Sequence, residues 1–276
     1  MPEDTVTIAC WNMAHKHESW RYLLDLKADL ALLQEVCRPP EDCAKMIEVD
    51  PAPWSLEKRG GRIRWRTAIA VLSDRVTVEW VRTRPIGEAG SGDLAVSSPG
   101  TLTAARVIPR SGKPFMAVSL YAELERLFNR AGNLIYSDAS SHRLISDLAA
   151  FVARQHGHRI VAAGDLNLMY GYSADGSPYW AARYGTVFNR LEAMGLFLVG
   201  PQFPDGRQAD PWPAALPGNS KNVPTWHTIG RPSAMADRQL DYVFASPDLV
   251  LTACALNGPD EWGPSDHCRI AMELRP

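Results

Sequence analysis

The sequence lacks a long apolar segment and a basic N-terminal patch, which are the features of membrane-spanning and secreted proteins. No apolar run approaches the roughly 18 residues of a membrane-spanning helix, and residues 1–7 are acidic where a secretory signal peptide needs a basic patch. The five cysteines are odd in number and form no Cys-x-x-Cys pair. These absences argue against secretion and membrane insertion and predict a reduced, cytoplasmic protein.

An excess of charge of either sign is also missing. The formal net charge is −2 over 276 residues, so nucleic-acid binding would need a local basic patch or a bound metal. The 21 prolines and 20 glycines are scattered among apolar segments, as expected of turns and not of a disordered tract. With 46% hydrophobic residues and no internal repeat, the chain can form a substantial core.

Short apolar segments separated by turn residues predict many strands and few long helices. The predicted strands are 6–11, 30–33, 67–72, 76–81, 101–108, 114–120, 160–163, 240–245, 250–255 and 268–274. The predicted helices are 18–27, 140–155 and 180–194. Segments 67–72 and 76–81 are expected to be neighbouring strands, as are 101–108 and 114–120. This pattern favours two sheets packed face to face, with helices outside.

Polar groups lie beside five of these apolar segments: Trp11-Asn12, Leu33-Gln34-Glu35, Gly164-Asp165-Leu166-Asn167, Leu240-Asp241-Tyr242 and Ser265-Asp266-His267. Taken singly, each could be a turn residue or a solvated cap. Together they supply what phosphoester hydrolysis requires, namely oxygen ligands for Mg²⁺ or Mn²⁺, donors to phosphoryl oxygens and a base for water. Because that chemistry needs them to converge, they favour a single domain over residues 1–276.

The residues of these motifs and their order along the chain resemble those of the endonuclease/exonuclease/phosphatase superfamily, whose fold is DNase I-like. The resemblance extends over residues 6–274. Gly-Asp-Leu-Asn followed by Leu-Asp-Tyr and Ser-Asp-His is specific in combination, although each motif alone recurs by chance. The resemblance implies an α+β fold, a four-layered α/β sandwich of two packed, mostly antiparallel β-sheets flanked by helices. It also implies a phosphoesterase that uses one or two ions of Mg²⁺ or Mn²⁺.

The resemblance carries a role to each matching position. Glu35 would be the principal metal ligand, with Asn12 beside it and Asp266 completing or joining the metal site. Asp165 would activate or orient water, and Asn167 would hold a phosphate oxygen.

The remaining matches concern charge at the reacting phosphate. His267, oriented by Asp241, would stabilise the developing negative charge or carry a proton, and Tyr121 matches a position near the phosphate. Independently of the resemblance, a carboxylate on one imidazole nitrogen fixes the tautomer and raises the pKa of the histidine. Bound cations would also offset the repulsion among Glu35, Asp165 and Asp266.

The strongest basic run is 58–66, where alternation predicts Arg62, Arg64 and Arg66 on one strand face that could hold a phosphate backbone. An edge strand protected by charge is an equally good interpretation. Further candidates for substrate binding are Arg143, Trp226 and His227. For Arg143, at the start of a predicted helix, a surface role fits as well. His15 and His17 could contact a phosphate, but histidines in such a loop are more often solvated.

Two departures argue against specialisation for abasic sites. Tyr121-Ala122-Glu123-Leu124 stands where that branch of the superfamily carries Tyr-x-Pro-Asn, and Arg238-Gln239-Leu240-Asp241 stands where it carries Trp-Arg-Leu-Asp. The sequence therefore predicts a monomeric metal-dependent nuclease acting on nucleic acid, DNA before RNA. The alternatives are a phosphatase or phosphodiesterase for a small or lipid-like phosphoester, and an inactive binding protein of the same fold.

Overall fold

The computed structural model describes residues 5–58, 61–126, 134–135, 137–152, 157–247 and 249–276. The strands are β1 (Val6–Asn12), β2 (Leu30–Val36), β3 (Glu48–Val49), β4 (Leu56–Lys58), β5 (Gly61–Ile63), β6 (Arg66–Val71), β7 (Val76–Trp80), β8 (Thr83–Pro85), β9 (Leu94–Val96), β10 (Leu102–Pro109), β11 (Phe115–Tyr121), β12 (Glu125–Arg126), β13 (Leu134–Ile135), β14 (Ile160–Asp165), β15 (Phe197–Gly200), β16 (Asp241–Ala245), β17 (Val250–Leu256) and β18 (Arg269–Leu274). The α-helices are α1 (Ser19–Leu24), α2 (Glu41–Ala44), α3 (Asp138–Leu148) and α4 (Pro178–Ala193). Short 3₁₀ helices occupy Ala149–Phe151 and Ser233–Met235.

The α+β sandwich predicted from the sequence is confirmed. One sheet has the strand order β17-β18-β1-β2-β6-β3, and the second has the order β15-β16-β14-β11-β10-β7. Each sheet contains one parallel pair, β1 with β2 and β11 with β14, and its other pairs are antiparallel. Because parallel strands end at the same edge of a sheet, residues that follow each of these pairs lie side by side.

Alternation along β1 shows how the layers form. Ile8 and Cys10 belong to the core between the two sheets, whereas Ala9 and Trp11 face the opposite side, in the core that contains Trp20 of α1. Successive side chains of a strand point to opposite faces, and both faces of β1 are apolar because both are covered. One strand thus contributes to two of the three interfaces of the sandwich.

The outer face of the second sheet is covered by α3 and α4. Leu144 and Leu148 of α3 and Phe188 of α4 pack in one core with Tyr242 and Phe244 of β16. The 16-residue α4 begins at Pro178, where proline fits the first helical turn, and the hydroxyl of Ser177 accepts a hydrogen bond from the backbone N–H of Trp180. These contacts complete the order helix, sheet, sheet, helix. Within the described segments, no helix is both long and apolar enough to cross a membrane.

The predicted pairing of segments 67–72 and 76–81 is wrong. β6 pairs with β2 and β3 in the first sheet, whereas β7 pairs with β10 in the second. Both edges of β6 are therefore occupied, and the chain crosses to the other sheet between the two strands. The crossing is held by buried Asp29, whose carboxylate accepts from Ser73 Oγ at 2.6 Å and from Arg75 Nη1 at 3.1 Å.

Other element boundaries differ by a few residues. The helix predicted over 18–27 is shorter and spans Ser19–Leu24. The helix predicted over 140–155 spans Asp138–Leu148 and continues as a 3₁₀ turn, and residues 153–155 lie outside the described residues. The predicted pairing of 101–108 with 114–120 is confirmed by β10 and β11.

The basic run 58–66 does not form one strand face. β5 ends at Ile63 and β6 begins at Arg66, so the alternation is interrupted between them, and Arg59 and Gly60 lie outside the described residues. Arg66 is 1% exposed and its Nη1 lies 2.8 Å from Asp50 Oδ1. Arg62 is exposed and paired with Glu57 at 2.8 Å. Arg66 therefore cannot hold a phosphate backbone. The prediction that Arg62, Arg64 and Arg66 share one strand face is wrong.

Candidate active site

Three predicted site residues form a row across the second sheet. Tyr121 of β11 is directly opposite Asp165 of β14, and Asp165 is directly opposite Asp241 of β16. Directly opposed residues of neighbouring strands point to the same face, so the pairing register aligns the three side chains. Asn167 follows in a turn, where its backbone N–H donates to Asp165 Oδ1 at 2.8 Å and its side-chain amide donates to Ala122 O at 2.9 Å.

The first sheet contributes Asn12 and Glu35 from the ends of its parallel pair. The register of β2 against β6 shifts between Leu33 and Val36, which marks a bulge, and Glu35 has a φ of +49°. A bulge redirects a side chain at a strand end. The amide nitrogen of Asn12 donates to Glu35 Oε1 at 3.2 Å and to Asp165 Oδ2 at 3.0 Å. Asn12 therefore connects carboxylates from the two sheets.

His267 precedes β18 and faces both carboxylates of the second sheet. Its Nδ1 lies 2.8 Å from Asp241 Oδ2, and its Nε2 lies 3.8 Å from Asp165 Oδ2. The Ser265 hydroxyl fixes the loop, since it donates to Asn12 O at 2.6 Å and accepts from the backbone N–H of His267 at 3.1 Å. With Nδ1 held by Asp241, Nε2 is the ring atom directed at Asp165.

These groups meet at one cavity of about 780 Å³. The predicted site residues that line it are Glu35, Tyr121, Asp165, Asn167, Trp226, His227, Asp266 and His267. Asn12 and Asp241 reach the same site through their hydrogen bonds to Glu35, Asp165 and His267. The structure thus brings together all the residues that the sequence assigned to catalysis and metal binding.

Burial and charge shift the acid–base properties of the site. Burial acts to lower the pKa of His267, but the charges of Asp241 and Asp165 raise it to about 10. Burial raises the pKa of Asp165 to about 8, against the charge of His267 and with further upward effects from Asp241 and Glu35. For Glu35, burial acts upward but is outweighed by the hydrogen bond from His15 and the charge of His267, so its pKa is lowered. Burial, with Glu35 and Asp165 nearby, raises the pKa of the Tyr121 hydroxyl well above its usual value.

The donor set fits a hard divalent cation. Asp165, Asp241 and His267 bring ligand-type atoms within 4.8 Å of one another, but Asp241 and His267 already share a hydrogen bond. Glu35 and Asp266 add carboxylate oxygens, which Mg²⁺ and Mn²⁺ prefer. The amide oxygen of Asn12 accepts from the backbone N–H of Ala14, so Asn12 would join them once its amide is rotated to direct the oxygen at the ion. Crowding of carboxylates helps to raise the pKa of Asp165, and a cation among these oxygens would relieve it.

The metal-free protein is expected to lose stability as the pH rises. Asp165 and His267 both have folded-state pKa values, about 8 and about 10, above unfolded values of roughly 3.9 and 6.5. The stability they contribute is complete below the unfolded pKa and is lost as the pH passes the folded pKa. Urea titrations in EDTA between about pH 5 and pH 9 measure this loss. Asp165→Asn should reduce the dependence of the free energy of unfolding on pH. An unchanged dependence would contradict a raised pKa of Asp165 in the folded protein.

The predicted substrate-binding residues are not all at the cavity. Trp226 donates from Nε1 to Asp266 Oδ2 at 3.0 Å, and the backbone N–H of His227 donates to Asp266 O at 3.0 Å. Arg143 is exposed on α3, pairs with Glu125 at 2.7 Å and does not line the cavity.

Several residues that line the cavity or pack beside its residues were not assigned from the sequence. His15, weighed there only as a phosphate contact, lies 2.8 Å from Glu35 through its Nε2. Trp65 packs edge-on against Tyr121 at a centroid distance of 5.3 Å, and Lys58 lies 5.3 Å from the centroid of a Trp65 ring. Arg238 lines the cavity with its guanidinium 5.3 Å from the Trp226 ring. Trp65 and Lys58 both belong to the basic run 58–66. The one sequence feature that could have identified them is the tryptophan that lies among the arginines of this run.

Comparison with solved structures supports the fold. The endonuclease domain of TRAS1, a telomere-specific non-LTR retrotransposon, is 18% identical, with 98% of each chain covered and a TM-score of 0.61. The AP endonuclease LMAP from Leishmania major is 15% identical, with 100% of this chain and 89% of that one covered and a TM-score of 0.62. A humanized TDP2 from D. rerio is 14% identical, with 99% and 100% covered and a TM-score of 0.56.

Comparison by sequence assigns the family. A search of curated proteins finds no match for the chain. The model of the Endonuclease/Exonuclease/phosphatase family matches residues 9–267, which include all the polar strand ends described above. The chain therefore belongs to the endonuclease/exonuclease/phosphatase family of phosphoesterases.

Proposed function

We propose that the protein is a divalent-metal-dependent phosphodiesterase that cleaves nucleic acid, with DNA preferred, and that residues 1–276 act as a single domain. The observation that carries the proposal is the convergence of Glu35, Asp165 and the Asp241–His267 pair at one cavity. Enzymes of this family generally use divalent metals. A bound Mg²⁺ or Mn²⁺, held by Glu35, Asn12 and Asp266, would neutralise phosphate charge and lower the pKa of water.

The chain's own residues have complementary roles. His267 is cationic at neutral pH because its pKa is raised to about 10, and its Nε2 would donate to the negative charge that develops on the phosphoryl oxygens. Asp165 would accept the proton of the attacking water once a bound cation offsets the neighbouring carboxylates that raise its pKa, and Asn12 and Asn167 hold its carboxylate in place. Tyr121 keeps its hydroxyl proton and would donate to a phosphate oxygen. Asn167, bonded to Asp165, would orient the same phosphate.

Nucleic acid is favoured over a small phosphoester by the aromatic and cationic groups around the site. Trp226 with Arg238 above its ring offers a stacking surface next to His267, and Lys16 lines the same cavity. The solved structures with this fold include a retrotransposon endonuclease domain and an AP endonuclease.

Incubation with supercoiled plasmid and with single- and double-stranded oligonucleotides, in Mg²⁺ or Mn²⁺, tests the proposal. We expect cleavage that EDTA abolishes, and a decrease of about 10²- to 10³-fold in His267→Gln, because one donor to the transition state is lost. His142→Gln is the matched control, since His142 lies on α3 and bonds to Thr186.

Two results would reject the proposal. One is absence of nucleic-acid cleavage together with turnover of a small phosphoester and binding to DNA that barely changes with salt. The other is equal cleavage by wild type and His267→Gln.

A further inference from the structure

His15 lies in the loop after β1 and contacts the carboxylate proposed as the principal metal ligand. Its Nε2 is 2.8 Å from Glu35 Oε2. The His15 side chain is 43% exposed and that of Glu35 is 19% exposed, and both line the cavity. A nitrogen and an oxygen of ligand type are therefore adjacent at a position that an ion can reach from solvent.

The loop holds His15 in this place by an unfavourable backbone conformation. Ala14 and His15 have φ values of +46° and +60°, which side chains with a Cβ rarely adopt. The backbone N–H of Ala14 donates to Asn12 Oδ1 at 2.9 Å, and that of His15 donates to Glu35 O at 3.0 Å. Such strain persists where surrounding contacts over-determine it, and it is concentrated at functional sites.

The orientation of the imidazole is also fixed from the side. The ring of Trp65 packs edge-on against His15, with centroids 5.2 Å apart and an interplanar angle of 67°. Trp65 itself packs against Tyr121. The ring is thus supported by one neighbour while its Nε2 faces Glu35.

We propose that His15 is an additional metal ligand, and that its imidazole nitrogen gives the site a preference for Mn²⁺ over Mg²⁺. This inference rests on the proposed function, because it requires a metal at Glu35. Mg²⁺ and Mn²⁺ both bind oxygen ligands, but Mn²⁺ is a transition-metal ion and accepts an imidazole nitrogen more readily than Mg²⁺, which keeps oxygen ligands and water. A site of Glu35, Asn12 and Asp266 alone offers side-chain oxygens, so His15 is the feature that would separate the two ions.

A competing role is that His15 occupies the position of the cation and must leave before metal binds. The two roles predict opposite effects of removing the imidazole. Loss of a ligand weakens Mn²⁺ binding, whereas loss of a competitor strengthens the binding of both ions.

Titration calorimetry and pulsed EPR of bound Mn²⁺ distinguish these roles without an activity assay. We expect His15→Gln to bind Mn²⁺ about tenfold more weakly and Mg²⁺ within about twofold of wild type. The imidazole-nitrogen coupling of bound Mn²⁺ should disappear in His15→Gln. His17→Gln is the matched control, because His17 is an exposed histidine of the same loop, and it should retain wild-type affinity and coupling.

Three outcomes would overturn the inference. Tighter binding of both ions by His15→Gln would identify a competitor. Unchanged Mn²⁺ affinity with retained nitrogen coupling would assign the nitrogen to another residue, while the proposed function would stand. Wild-type Mn²⁺ binding by Glu35→Gln would remove the metal site itself, and with it the proposed function.

Discussion

Replacement of Glu35 by glutamine is expected to lower phosphodiester hydrolysis by about 10³- to 10⁴-fold, since a cation at such a site contributes several kcal/mol to the transition state. Glutamine keeps the size of the side chain and can keep one contact to Asn12, but it removes the negative charge. Burial and the bulge fix the side chain at the cavity. The kcat/KM on the substrate cleaved by wild type measures the effect.

Two controls separate chemistry from folding in this variant. Glu57→Gln removes a carboxylate that is exposed and paired with Arg62, and it should leave activity unchanged. Far-UV circular dichroism and the urea midpoint show whether Glu35→Gln still folds. Wild-type activity in Glu35→Gln, with the fold intact, would contradict the assignment of Glu35 to the metal site.

Replacement of Arg66 by methionine is expected to lower the free energy of unfolding by about 3–5 kcal/mol. Arg66 Nη1 lies 2.8 Å from Asp50, its Nη2 donates to Ala52 O at 3.0 Å, and its guanidinium lies 4.0 Å from the centroid of a Trp54 ring. Methionine fills much of the space but leaves the buried Asp50 carboxylate without its counter-charge. Equilibrium urea denaturation measures the loss.

The source of that loss can be separated by a second substitution. Adding Asp50→Asn to Arg66→Met should recover part of the stability, because the unpaired buried charge is then removed. Arg62→Met is the surface control and should change the free energy of unfolding by less than about 0.5 kcal/mol. If Arg66→Met instead folds with wild-type stability and loses DNA affinity, the phosphate-binding interpretation of Arg66 would return.

The sequence predicted the architecture and the central residues because both depend on local patterns. A polar group directly after an apolar strand is visible without knowledge of pairing, and convergence follows once the chemistry is assumed. This reasoning identified Asn12, Glu35, Asp165, Asp241 and His267, which the structure brings together. The roles of these residues are still predictions.

The features that the sequence could not predict are the pairing of strands and unusual backbone angles. Spacing indicated that 67–72 and 76–81 are strands, but it contains no information on which sheet each joins. The predicted alternation of arginines assumed one continuous strand, but the chain breaks between Ile63 and Arg66. Arg66 therefore points into the protein and not to the exposed face predicted for it. His15 contacts Glu35 from a loop in which Ala14 and His15 both have positive φ. No pattern in the sequence predicts this conformation at two successive residues that are not glycine.

The pairing of β1 with β18 has a consequence for synthesis of the protein. Val6 is opposite Leu274, so β1 leaves the ribosome long before its partner β18 is translated. Until then, one edge of an apolar strand in the nascent chain is open to pairing with other chains. His267 is translated just before β18, so a truncated translation product would lack both the closing strand and the imidazole of the site.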